Sequence, residues 1–118
     1  VDRSTGKELQ VYGDANLLTL ALINLIRNAL QAVEGQEDGI VRVDTCAGAT
    51  GHLLIIITDN GPGIPPERLS AIFTPFFSTK SGGSGIGLPI SQRIMQLHGG
   101  QLSVSSIPNV RTEFRMEF

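Results

Sequence analysis

Cysteine is almost absent from this chain, and tryptophan wholly so. A single cysteine, Cys46, excludes an internal disulfide framework and fits a reducing compartment. It falls in the alternating run IVRVDTCA (40–47) and reads as a packing residue rather than a reactive thiol. Charge of either sign is scarce: nine Lys and Arg against eleven Asp and Glu leave a formal net charge of −2. Nothing in that balance favours binding to nucleic acid or an anionic membrane surface. No apolar run reaches the roughly 18–20 residues of a membrane span; the longest is broken by Thr19, Asn24 and Arg27. The opening VDRSTGKEL lacks the apolar core of a signal peptide. It also begins without Met, so the chain is expected to be a cytoplasmic domain excised from something longer, with any membrane anchor in the missing part.

What the chain has in excess is glycine, 14 of 118 residues against an average of roughly 7%. Most of it is gathered into a few loops, which points to functional backbone rather than low complexity. The length suits one domain, 1–118, with a real two-layer core. A short strand is expected over about 8–12, then a helix capped by Asp14 and running to about 34. IVRVDTCA (40–47) alternates as a strand; HLLIIITD (52–59), nearly continuous in β-branched residues, predicts a central strand covered on both faces. Pro65-Pro66 open a short helix to about 72. A helix over about 86–98 stops at Gly99-Gly100, and strands over 101–106 and 112–118 close the chain around a turn at Pro108-Asn109. Strands and helices mix without a βαβ repeat, which predicts an α+β two-layer sandwich: one mainly antiparallel sheet with helices on one face.

Three constellations carry chemistry. In LLTLALINLIRNALQAV (17–33) the polar residues Asn24, Arg27, Asn28 and Gln31 recur at i, i+3, i+4 and i+7, one face of a helix that is otherwise apolar. Lys and Glu are the usual choices for a solvated face; two Asn and a Gln suit a Mg²⁺–phosphate site instead, because an amide oxygen ligates a hard cation and an amide N–H donates to phosphate. The second is Asp59 at the end of the apolar strand, before Asn60-Gly61-Pro62-Gly63-Ile64. Its carboxylate can accept from an exocyclic amine such as adenine's, with Gly61 and Gly63 letting the base approach and Ile64 as an apolar floor. The third is GGSGIGL (82–88), which runs into a helix as an anion site does. It is neither a P-loop nor a dinucleotide fingerprint. Lys80 precedes it and could reach phosphate or stay solvated.

Taken together, in this order, these motifs resemble the ATP-binding catalytic domain of bacterial sensor histidine kinases, in the GHKL (Bergerat-fold) superfamily. NLIRNALQA (24–32) is similar to the family's N box, DNGPGI (59–64) to its first glycine box, FTPFF (73–77) to its F box and GGSGIGL to its second glycine box. LHGGQLSVSS (97–106) resembles the closing helix-to-strand passage, so the likeness spans the chain; the wording is most like nitrogen-regulation-type kinases. The resemblance implies a Bergerat-type sandwich that binds ATP and Mg²⁺. Asn28 would be the metal ligand and Asn24 its polar neighbour, with Arg27 and Gln31 near the phosphates. Asp59 would read the adenine amine, beside Gly61, Gly63 and Ile64. Phe73 and Phe77 would anchor an ATP lid running from Lys80 through Gly83 to Ser84, and Gly85, Ile86, Gly87 and Leu88 would form the phosphate-side turn. Asn24, Asn28 and Lys80 would be the groups nearest the chemistry. Gln31 departs from a lysine common in relatives, and Arg111 from a glycine that often precedes Thr112.

GHKL hydrolases place Glu one helical turn before the metal-binding Asn, where it activates water. Asn24 holds that position here and cannot take a proton at neutral pH, which favours phosphotransfer over hydrolysis. His52 and His98 lie outside any phosphoacceptor helix and read as structural. The acceptor histidine is therefore expected on a dimerisation domain of the same protein, with a response-regulator receiver domain downstream. The fragment is expected to be monomeric, to have little activity alone and to touch neither nucleic acid nor membrane; the whole protein is expected to be a homodimer. The alternatives are a degenerate nucleotide-sensing or docking module, and an anti-sigma-type serine kinase of the same fold. The Ser/Gly-rich lid has little to bury and is expected to be unordered without nucleotide.

Overall fold

The computed structural model describes residues 13–48, 51–74 and 87–118; the strand expected over 8–12 lies outside them. Helix α1, Ala15–Ala32, begins where Asp14 accepts backbone N–H bonds from Asn16 at 2.9 Å and Leu17 at 3.1 Å, satisfying two donors that the first turn leaves orphaned. Strands β1 (Val41–Ala47) and β2 (Leu53–Asp59) follow, then the single turn of α2 (Pro66–Leu69), helix α3 (Gly87–Leu97), and the hairpin of β3 (Gln101–Ile107) and β4 (Arg111–Glu117). Helix α3 stops as its sequence predicts: Gly99 takes φ 73° while Gly100 N–H returns to Met95 O at 2.9 Å and Gly99 N–H to Gln96 O at 3.1 Å.

The four described strands form one antiparallel sheet in the order β1-β2-β4-β3. β4 therefore leaves its hairpin partner on one side and pairs with β2 on the other. Val43, Ile57, Phe114 and Val104 lie in one cross-strand row, Ile55, Met116 and Leu102 in the next. These rows meet Ala21, Leu25 and Ala29 of α1 and Ile94 and Met95 of α3, which closes the core between a helical layer and one face of the sheet.

Two expectations change, the cover of β2 and the length of α2. β2 is interior to the sheet, but among the described residues helices cover only one of its faces; the opposite face alternates Leu54, Ile56 and Thr58 beside Arg42, Asp44, Glu113 and Arg115. A β-branched run reads alike whether one face or both are covered. Helix α1, apolar outside its polar stripe, leaves Leu20, Ile23 and Leu30 exposed on its outer side. Helix α2 ends at Leu69, and hydrogen-bonded turns carry the chain on to Thr74. Arg111 does not disturb the final hairpin: Asn109 supplies the positive φ, 64°, and Arg111 pairs with Ile107 as ordinary strand.

Candidate functional site

Only three polar side chains are buried among the described residues: Asp59, Ser91 and Thr112. Two of them, Asp59 and Thr112, are cross-strand partners at one end of the β2–β4 ladder, on the face that carries the helices. Burying a carboxylate is costly unless hydrogen bonds hold it. Asp59 Oδ1 accepts the Gly61 N–H at 2.9 Å, so the chain folds sharply back on the carboxylate. Beyond Thr112 the polar contacts continue: its hydroxyl lies 2.9 Å from Ser106 Oγ, which also accepts the Ile64 N–H at 2.9 Å. Ile64 itself is half-buried and packs on the core.

The glycines of this turn answer first to the protein. A Cβ on Gly61 would stand 2.7 Å from Ala32 O at the end of α1. One on Gly63, which has φ 86°, would stand 2.8 Å from Pro108 Cα. The α1 terminus and the β3–β4 turn both approach these glycines closely. Pro62 O accepts the Asn109 N–H at 2.9 Å across the same junction.

The polar stripe of α1 divides. Asn24 and Asn28 are half-buried, whereas Arg27 and Gln31 are exposed. Asn24 Nδ2 points to Gly87 O at 3.4 Å, and Ser91 Oγ donates to that carbonyl at 2.9 Å or to Ala21 O at 3.3 Å. The first turn of α3 is thus fastened to the middle of α1, with Leu88 half-buried against the core. Phe73 meets Phe114 edge-on, ring centroids 6.5 Å apart at 86°, which ties the segment after α2 to the sheet. Phe77, Lys80, Gly83, Ser84, Gly85 and Ile86, and with them the expected lid, lie outside the described residues.

Sequence reasoning missed Thr112, Ser106, Ser91 and Asn60. Thr112 and Ser106 occupy inward positions of strands where an apolar residue would be the default, a signal that needs the register to be seen. Among the described residues no group of three or more His, Cys, Asp or Glu could cage a metal ion. The donors at hand are the carboxamides of Asn24 and Asn28, a set suited to Mg²⁺ that keeps water and substrate phosphate as its other ligands.

The profile of the histidine kinase-, DNA gyrase B- and HSP90-like ATPases matches residues 13–118. The chain is 42% identical over 98 residues to the sensor histidine kinase ZraS of Salmonella typhimurium strain LT2, covering 83% of this chain and 21% of that one. It is 41% identical over 104 residues to the C4-dicarboxylate transport sensor protein DctB of Rhizobium meliloti, covering 88% and 17%. The chain spans about a fifth of the length of these curated relatives. Among solved structures, the catalytic domain of histidine kinase ThkA aligns with TM-score 0.79 at 31% identity over 98% of this chain and 74% of that one. Full-length ShkA in complex with AMPPNP aligns with TM-score 0.81 at 29% identity over 93% and 23%. ZraS and ThkA are both named histidine kinases.

Proposed function

The chain belongs to the histidine kinase-, DNA gyrase B- and HSP90-like ATPase family, and from that premise we propose that it binds Mg-ATP and donates the γ-phosphoryl group to a histidine on a separate dimerisation domain. The observation that carries this reading is the buried Asp59–Thr112 pair at the mouth of a glycine turn. Such a carboxylate, fixed by the Gly61 N–H, is an acceptor of the kind that an exocyclic amine donates to. Asn28 would supply an oxygen to Mg²⁺, which when bound neutralises charge on the β- and γ-phosphates. Asn24 points its amide N–H at Gly87 O and offers no base for water. That supports transfer to a histidine, itself a nucleophile, over hydrolysis. The receiver domain of a response regulator would take the phosphoryl group onward, and the dimerisation domain would make the whole protein a homodimer.

Calorimetric titration with a non-hydrolysable ATP analogue tests the site, with and without Mg²⁺, on this chain and on Asp59→Asn. The expected result is magnesium-dependent binding that the substitution weakens by about tenfold or more without removing it. A folded wild-type chain that binds no nucleotide would instead favour the docking module.

A further inference from the structure

Asn60 makes more side-chain hydrogen bonds than a turn residue needs. Its Oδ1 accepts the Ile40 N–H at 2.7 Å and Gln36 Nε2 at 3.3 Å, and its Nδ2 donates to Asp38 O at 2.8 Å. Its backbone joins in: Asn60 O accepts from Gln36 Nε2 at 3.0 Å, and Asn60 N–H donates to Ile40 O at 3.3 Å. One carboxamide thereby gathers three residues of the α1–β1 connection onto the turn after β2. The partners fix its orientation, because a backbone N–H faces one end of the amide and a carbonyl the other. An aspartate would set an oxygen against Asp38 O.

The residues on either side of Asn60 give this clamp its consequence. Gly61 N–H is the donor that orients the Asp59 carboxylate. The direction of that N–H is set by the peptide plane between residues 60 and 61, one side of which is Asn60. We propose that Asn60, with Gln36, is a positioning residue for base recognition: it holds the peptide that aims Asp59, and so sets the preference for a 6-amino over a 6-oxo purine. This rests on the reading of Asp59 given under the proposed function. Asn60 acts through the carboxylate and need not touch the ligand.

A clamp that only stabilised the fold would lower affinity for every nucleotide alike, so the informative quantity is a ratio. ADP and its 6-oxo counterpart IDP are titrated with Mg²⁺ into the wild-type chain, Asp59→Asn, Asn60→Asp and Gln36→Ala, each checked for folding by circular dichroism. The wild type is expected to prefer ADP by about tenfold or more, and Asp59→Asn to bring the ratio near one. Asn60→Asp and Gln36→Ala are expected to cut the preference by about threefold or more while still binding. If both fold and keep the wild-type ratio while Asp59→Asn loses it, the positioning role is overturned and the base site stands. If Asp59→Asn also keeps the ratio, the base site fails and takes the positioning role with it. Should Asn60→Asp not fold, Gln36→Ala decides alone, since it removes one arm of the clamp from a surface connection.

Discussion

His98 Nε2 accepts the backbone N–H of Asp14 at 3.0 Å, so the end of α3 is bonded to the N-cap of α1 across 84 residues of sequence. The other ring nitrogen, Nδ1, lies 2.7 Å from Ile94 O. A carbonyl only accepts, so in this arrangement Nδ1 is the donor and Nε2 the acceptor. Gly13 leaves room for it, since a Cβ there would stand 2.8 Å from Nε2. The structural role that the sequence suggests for His98 is thus a bridge between the two helices. His98→Ala is expected to destabilise the chain by about 1–2 kcal/mol, read as a lower urea midpoint, and ¹⁵N spectra should show the Nδ1–H form.

Two glycines with similar backbone angles should respond differently to alanine. Gly35 has φ 81° and Gly63 φ 86°, but a Cβ on Gly35 meets nothing within 4 Å whereas one on Gly63 meets Pro108 Cα at 2.8 Å. Gly35→Ala is expected to cost about 1–2 kcal/mol, the left-handed penalty alone. Gly63→Ala should cost clearly more and displace the β3–β4 turn. Equal costs in denaturant titrations would show that the turn yields freely.

Ser91 is fully buried where α3 crosses α1. Ser91→Ala keeps the fit and forgoes one hydroxyl contact, so about 0.5–1.5 kcal/mol is expected. Ser91→Leu must spread the two helices and is expected to cost about 1–3 kcal/mol or more. Because Asn24 and Gly87 lie in the same crossing, the leucine variant should also weaken nucleotide binding by calorimetry, while the alanine variant should not.

The Phe73–Phe114 contact is the one described link of ring to ring between the segment after α2 and the sheet. A double-mutant cycle with Phe73→Leu and Phe114→Leu is expected to give a coupling of about 0.5–1.5 kcal/mol. Additive losses would mean that the two rings contribute only their buried area.

The parts of this protein that its sequence determined are those written within a few neighbouring residues. Asp14 caps α1 because its carboxylate reaches donors two and three residues on. Gly99-Gly100 end α3 because their bonds return to Met95 and Gln96. Alternation alone put Phe114 and Met116 on one face of β4 and Arg115 on the other. Asp59 and its glycine turn were legible for the same reason, since the carboxylate bonds to Gly61, two residues away. Where β4 would lie was not written locally: its insertion between β2 and β3 brings Thr112 opposite Asp59, residues 53 positions apart in number whose pairing no spacing rule announces. Tertiary packing also set Ala32 against Gly61 and Pro108 against Gly63. It turned Asn60 from a turn residue into a clamp and His98 from a helix end into a bridge. Periodicity and capping report on the energy of a segment by itself, whereas these contacts exist only once distant segments share a core.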